Sequence, residues 1–298
     1  MQVNTNVESN GNSYKYFLSV GAIFKNESHI LVEWIEHYLS QGVEHFYLID
    51  NGSTDNYMDK IIRYIKFDIV TLFKDDTPNE QIPHYNKYIL PHINETEWLF
   101  MADLDEFAYA PNHNKLTDVL QDKKYTNIKN LAEISCPWIM FGSNGHISQP
   151  ASVVKNFVKR WNCNNIDTIR LPKGHVGVKS FVKTNKLNKI HIHRHNISGI
   201  SVCSNLEPFM FDSSCGDYYV STEISEKKLA SYDIVINHYI IQSAEYYCTI
   251  KMTRGDVNRS VWDNLRDVAY FNDNDKNDIE DMRLVLKKLR ALFKKQTT

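Results

Sequence analysis

The stretch EWLFMADLDEFAY, residues 97–109, sets three carboxylates, Asp103, Asp105 and Glu106, within four positions at the end of an apolar run. Like charges this close repel one another unless a cation sits among them. If the backbone stays extended, Asp103 and Asp105 project to one side and can address a single ion. Their hard oxygens suit Mg²⁺ or Mn²⁺, which keep positions open for water and for substrate phosphates. Such an ion neutralises a diphosphate and stabilises it as a leaving group. The plain alternative is a solvated acidic turn.

The elements before this motif must position it. YFLSVGAIF (16–24) reads as a buried strand. In the following segment Ile30, Leu31, Trp34, Ile35, Tyr38 and Leu39 recur at helical spacing, with Ser28 placed to cap the start and Gly42 to end it. HFYLID (45–50) reads as a second strand and NGSTDN as a turn. Met58, Ile61, Ile62 and Ile65 mark a helix, FDIVTLF a third strand, and a helix across about 80–90 should stop at Pro91. This β-α-β-α-β-α-β alternation argues for a parallel sheet with helices on both faces. Ligands of such sheets lie beyond the carboxyl ends of the strands, where Asp50 and Asp103 both stand.

The second half is less regular. EISCPWIMFGSNGH reads as a strand and a loop, and HVGVKSFVK, KIHIHRH and YDIVINHYI as further strands, with helices over 242–254, 260–270 and 277–295. His191, His193 and His195 share one face if their segment is a strand. Their spacing is unusual for zinc, so a polar sheet face or substrate contacts are the preferred readings. The last helix places Met282, Leu286, Leu289 and Phe293 on one face and Arg283, Lys287, Lys288, Arg290, Lys294 and Lys295 on the rest. It reads as a solvated helix packed on the domain, or as a peripheral contact with anionic lipid or an acidic partner.

The bulk properties exclude several classes. A formal net charge of −2 argues against a nucleic-acid binder held by phosphate neutralisation. Five scattered cysteines without a CxxC pair read as reduced thiols rather than a disulfide framework or a zinc site. No apolar run reaches membrane-spanning length. Residues 1–13 are polar and lack the pattern of a signal peptide, so a disordered tail and a cytoplasmic location are expected.

Two reaction classes use an apolar strand ending in Asp-x-Asp. In phosphoryl transfer through an aspartyl phosphate the motif normally opens the chain, with Thr or Val two places after the second Asp. Here three β-α units precede it and Phe107 holds that place. In sugar transfer from a nucleotide diphosphate the motif follows the nucleotide-binding half, as it does here.

GAIFKNESHILVEWIEHYLSQGVEHFYLIDNGSTDN followed by WLFMADLDEF resembles glycosyltransferase family 92 and the related family-2-like glycosyltransferases. FGSNGH, GVKSFVK and NHYIIQSAEYYCTIKMTRGD extend the resemblance over about 18–258, in order. It implies a GT-A type nucleotide-diphospho-sugar transferase fold: α/β, with a mixed, mainly parallel central sheet flanked by helices, and C-terminal helices. It also implies Mn²⁺ or Mg²⁺ and a nucleotide-sugar donor, first of all a UDP-sugar, with a carbohydrate acceptor. By position, Asp50 matches an acid that contacts the nucleotide base, with Asn51 where a second acid is usual. Asp103 and Asp105 match the metal and diphosphate motif. His238 matches a late histidine that completes metal or diphosphate binding, Lys179 could meet a phosphate, and Glu27 could line the donor pocket. Each has a plain alternative: Asp50 as a turn cap, His238 as a core histidine, Lys179 as a solvated strand lysine, Glu27 as support for the first helix. Trp34 and Trp98 read as core.

The expected organisation is a tail over 1–13, a transferase domain over 14–258 and a helical appendage over 259–298. Within the domain the nucleotide half covers about 14–110 and the acceptor half about 111–258. The expected reaction is metal-dependent, inverting transfer to a hydroxyl of a glycan, lipid-linked glycan or glycoprotein. The base that would deprotonate the acceptor is not named by the sequence; Glu133, His146, Glu207, Asp212 and Asp217 are candidates, His146 drawing interest for its place in FGSNGH. The rival readings are a metal-dependent phosphatase or nucleotide hydrolase and a catalytically inactive nucleotide-sugar-binding protein. Oligomeric state is left open.

Overall fold

In a computed structural model, residues 14–78, 80–168, 171–207, 221–254 and 266–296 are described; the expected tail over 1–13 lies outside them. β1 (Tyr16–Phe24) and β2 (His45–Asp50) are buried almost throughout, as runs without polar alternation should be when both sheet faces are covered. With β3 (Val70–Lys74) and β4 (Thr96–Met101) they form a parallel ladder in the order β3-β2-β1-β4. The crossovers are α1 (Ser28–Ser40), α2 (Tyr57–Lys66) and a broken helical stretch. Ser28, expected as a cap, is instead the first helical residue, and its N–H is met by the Asp55 carboxylate at 2.8 Å. Gly42 follows α1 at φ +91°, where a side chain would be strained and would strike Thr117.

The third crossover is not one helix. It runs through an α turn (Gln81–His84), a π turn (Tyr85–Ile89) and a 3₁₀ stretch (Leu90–Glu95) with Pro91 at its start. Proline has no N–H for the helical ladder and its ring clashes with the carbonyl four residues back, so the ladder changes its period there.

The central sheet is mixed, as the resemblance implies. The strand His175–Lys183 pairs antiparallel with β4 on one side and with β6 (Leu131–Met140) on the other. β6 runs parallel to Val235–His238, which pairs antiparallel with β5 (Glu106–Tyr109). β4 and β5 are joined by residues 102–105 alone, yet three strands separate them in the sheet. Five peptide steps span at most about 18 Å, whereas four strand spacings span about 19 Å. The sheet must therefore curl, and the acidic link crosses the ends of the strands between.

Two expectations fail here. Of KIHIHRH only Lys189 lies in a strand, Leu187–Lys189; beyond it the Asn86 amide donates to the Ile190 carbonyl at 2.9 Å and its oxygen accepts the Ile190 N–H at 3.0 Å. A side chain thus replaces the ladder, and the three histidines lie on a loop rather than on one strand face. The helix Arg283–Gln296 buries Leu284 and Val285, while Leu286, Leu289 and Phe293 are exposed, so the packed face is not the expected one. Several of its cations turn inward: Arg283 to Asp281 at 2.8 Å, Lys287 to the His113 carbonyl at 2.5 Å, and Lys288 over the Phe107 ring at 5.5 Å. Cys136, Cys163, Cys203 and Cys248 are free thiols, and Cys215 lies outside the described residues. Among the described residues no helix is long and apolar enough to cross a membrane.

Glu133 on β6 secures the histidine loop. It is fully buried, and its oxygens accept the His195 N–H and the Ser201 hydroxyl, each at 3.0 Å. Burial outweighs these contacts and pushes its carboxyl from 4.5 up to about 7. A raised acid binds its proton more tightly folded than unfolded, so stability is lost as pH rises from 4.5 to 7. At about 1.4 kcal/mol per unit the loss is about 3 kcal/mol. Glu133→Gln should make the fall of urea-unfolding stability across that window shallower by about that amount; an unchanged slope would show that Glu133 does not titrate there.

Candidate functional site

Helix α1 holds the acidic link. The Trp34 indole N–H donates to the carbonyls of Asp103 and Glu106, at 3.1 Å each. The Tyr38 hydroxyl donates to the Glu106 carbonyl and accepts the Ala108 N–H, both at 3.0 Å. His37 Nε2 lies 2.7 Å from the Ala108 carbonyl, which can only accept, so Nε2 carries the proton. Burial and the Lys288 charge hold this imidazole neutral. Within the link, the Glu106 N–H donates to the Asp103 carbonyl and the Asp103 N–H to the Glu106 carboxylate, at 3.0 Å each. The backbone turns at Leu104–Asp105 instead of staying extended, so Asp103 and Asp105 do not sit side by side as strand neighbours.

Both acids nonetheless enter one charged centre, where the counter-charges are supplied by the chain. Lys179 Nζ lies 3.0 Å from Asp103 Oδ2 and 3.3 Å from Glu106 Oε2. Lys251 Nζ lies 2.5 Å from Asp105 Oδ2, and His238 Nε2 lies 3.4 Å from Asp105 Oδ1. Lys179, Lys251, His238, Asp105 and Glu106 are all buried, whereas the Asp103 side chain is 37% exposed and forms the open edge. Burial alone would raise the Asp105 carboxyl, but Lys251 and His238 hold it well below its ordinary value. Burial likewise works against Asp103, where Lys179 prevails and lowers it. At Glu106 burial wins over Lys179 and pushes the carboxyl up to about 7.

An aromatic wall borders the centre. Trp138 on β6 packs 4.6 Å from the His238 ring and 5.1 Å from His193. Its ring fits because Gly177 has no side chain; a Cβ there would lie 2.6 Å from the indole.

The other expected residues divide. Asp50 accepts the Ser53 N–H at 2.8 Å and the Tyr57 hydroxyl at 2.7 Å, so both oxygens organise the turn after β2. Asn51 donates to the carbonyls of Asp75 and Thr77 at 2.7 and 3.0 Å. Glu27 is buried and accepts the Tyr246 hydroxyl at 3.0 Å, tying α1 to the helical segment 244–254 that carries Lys251. His146 lies on a loop bonded to the same segment, the Ala244 N–H donating to its carbonyl at 3.1 Å. Its Nε2 faces the Asn156 carbonyl at 3.1 Å, which leaves the lone pair on Nδ1. Glu133 is engaged under the histidine loop, and Glu207 pairs with Lys228 at 3.4 Å. Asp212 and Asp217 lie outside the described residues.

Lys251 and Glu106 were given no role by the sequence reading. The only signal for Lys251 was its place between NHY and RGD; by type it reads as one more lysine on a helix. It closes a π turn, Tyr247–Lys251, and such turns frequently occur at functional sites.

The family model described as glycosyltransferase family 92 matches residues 14–281. A glycosyltransferase family 92 protein of Ricinus communis is 24% identical over 196 residues, 62% of this chain and 32% of its own length. One of Oryza sativa subsp. japonica is 27% identical over 177 residues, 57% of this chain and 27% of its own. The chain thus spans about a third of the length of the curated relatives it matches. Among solved structures, S. aureus TarS 1–349 aligns over 56% of this chain and 47% of its own at 16% identity and TM-score 0.33. HddC from Yersinia pseudotuberculosis aligns over 63% and 89% at 10% identity and TM-score 0.37. Likenesses this partial assign no ligand.

Lys179→Met should destabilise the protein by about 3 kcal/mol, because it leaves buried carboxylates without their cation. Chemical denaturation reads this as a lower midpoint at unchanged slope. A midpoint within error of wild type would show that Lys179 is not what neutralises the turn.

Proposed function

The chain belongs to glycosyltransferase family 92, and on that footing we propose that it transfers a sugar from a nucleotide-diphosphate donor to a hydroxyl acceptor at the Asp103–Asp105 centre. The observation that carries this reading is the position of that centre. It lies past the carboxyl end of β4, beside β1, at the point where the strand order reverses, which is where ligands of open α/β sheets bind. The proposal gives residues 14–110 to the donor and 111–258 to the acceptor.

The donor is a UDP-sugar in this reading. Asp50 and Glu27 shape its pocket through the turn and the helical segment they fasten, and not through free carboxylates. Lys179, buried beneath Asp103 and Glu106, offsets the negative charge of the open edge where a diphosphate would lie.

The residues fit Mn²⁺ or Mg²⁺ under one condition. Asp105 Oδ1 is buried, accepts no hydrogen bond and faces His238, and Asp103 is partly exposed. Among the described residues, however, no three His, Cys, Asp or Glu side chains gather into a ready site. An ion held by Asp103, Asp105 and His238 would therefore complete its shell with substrate oxygens and water. Bound there, it would supply charge neutralisation to the departing diphosphate.

Transfer is inverting in this proposal, with the acceptor hydroxyl attacking from the face opposite the diphosphate. Of the described candidates for the base, Glu133 and Glu207 are engaged elsewhere, and His146 takes the role. Its Nε2–H is fixed on the Asn156 carbonyl, and Nδ1 is left to take the acceptor proton.

The test is release of nucleoside diphosphate from a panel of nucleotide sugars, with and without Mn²⁺ and with glycan acceptors. Asp105→Asn should lower turnover by about 10²–10³-fold. His146→Ala should lower it by about 10²-fold or more while donor binding, read by calorimetry, stays unchanged. Turnover of phosphomonoesters without a sugar donor would favour a phosphatase, and nucleotide binding without turnover an inactive binding protein; either outcome ends the transferase reading.

A further inference from the structure

The acidic centre carries its own counter-ions, and one of them occupies a carboxylate that the expected cation would use. Asp103 is matched by Lys179, which Glu106 shares, and Asp105 by Lys251, so each aspartate already has a lysine in direct contact. Lys251 is 3% exposed and sits on one oxygen of Asp105, while His238 faces the other. A divalent ion entering alone would add two positive charges beside two buried ammonium groups that water does not screen. A diphosphate arriving with it brings the negative charge that restores the balance. We infer that Lys251 is a resident counter-ion of Asp105 which a divalent cation displaces, so that cation and nucleoside diphosphate bind as a coupled pair and Lys251 passes from the carboxylate to the diphosphate. The inference rests on the donor reading above for the identity of the anion, but the competition between Lys251 and the cation stands on the ion pair itself.

The local backbone suits such an exchange. The start of the segment is fixed: the Ser243 hydroxyl accepts the Tyr246 N–H at 3.1 Å, and the Tyr246 hydroxyl donates to Glu27. Lys251 stands at the other end of the π turn, a departure from the regular helix that frequently occurs at functional sites. Its ammonium is held by Asp105 alone among the contacts the structure gives it, whereas Lys179 is gripped by two carboxylates. Lys251 is thus the counter-ion free to leave, and Lys179 the one that stays.

Mn²⁺ binding measures this without turnover. The paramagnetic signal of free Mn²⁺ is titrated with the full chain, first alone and then with saturating UDP. Wild type should bind Mn²⁺ at least tenfold more tightly with UDP present, and UDP should gain the same factor from Mn²⁺, since coupling between two ligands is reciprocal. Lys251→Met should bind Mn²⁺ alone at least tenfold more tightly than wild type does, and Lys251→Arg, which keeps the charge, should not. Equal affinity of wild type and Lys251→Met for Mn²⁺ alone would overturn the inference. Should Lys251→Met fail to fold, the wild-type titrations decide: Mn²⁺ bound as tightly without UDP as with it overturns the coupling. UDP that binds under neither condition refutes the donor reading instead, and the Mn²⁺-only comparison still decides the role of Lys251.

Discussion

Two carboxylates, Asp105 and Glu106, are buried in this protein with a third, Asp103, at their open edge, because two lysines are buried with them. Removing a charge from water costs far more than any single contact returns, and an ion pair offsets that cost only when both partners are present in good geometry. Asp103, Asp105 and Glu106 lie on one short link, but Lys179 comes from a strand well downstream and Lys251 from a helical turn further on. The rest of the architecture can be understood from the need to bring these segments together. The sheet curls so that β4 and β5 approach, the strand His175–Lys183 inserts next to β4, and Val235–His238 sets His238 beneath the link.

Neutralising the side chains is half of the problem. The backbone of the link is also buried, and its polar groups need partners. Helix α1 supplies them, using Trp34, His37 and Tyr38 as donors and acceptors to residues 103, 106 and 108. These aromatic residues belong to the apolar stripe of the helix and fill the core, yet each turns its polar atom to the link. The same side chains therefore contribute packing and fix the acids. The helical ladder departs from its regular period at two π turns, Tyr85–Ile89 and Tyr247–Lys251, the second of which ends on Lys251.

The first half of the fold was legible because its signals agree. Strand runs such as HFYLID, the helical spacing of Trp34, Ile35 and Tyr38, and turn chemistry at 51–56 all indicate the same elements, which the structure contains. The failures arise where the sequence offers two equal choices. The C-terminal helix has apolar residues on more than one face, and periodicity cannot say whether Leu284 and Val285 or Leu286 and Leu289 are covered. The alternation of His191, His193 and His195 mimics a strand, but Asn86, far away in sequence, takes the backbone bonds that a ladder would have used.

The sequence by itself determined that an apolar strand ends in a dense acidic motif, at the carboxyl edge of an α/β frame. This follows from local rules, since periodicity and charge spacing act within a few residues. Only the tertiary structure decided what faces those acids. Lysines are common and most are solvated, so nothing in their type marks Lys179 and Lys251 as the two that are buried. They become counter-ions because the curled sheet and the segment 244–254 carry them to Asp103 and Asp105, and long-range electrostatic pairing leaves no periodic trace in the chain.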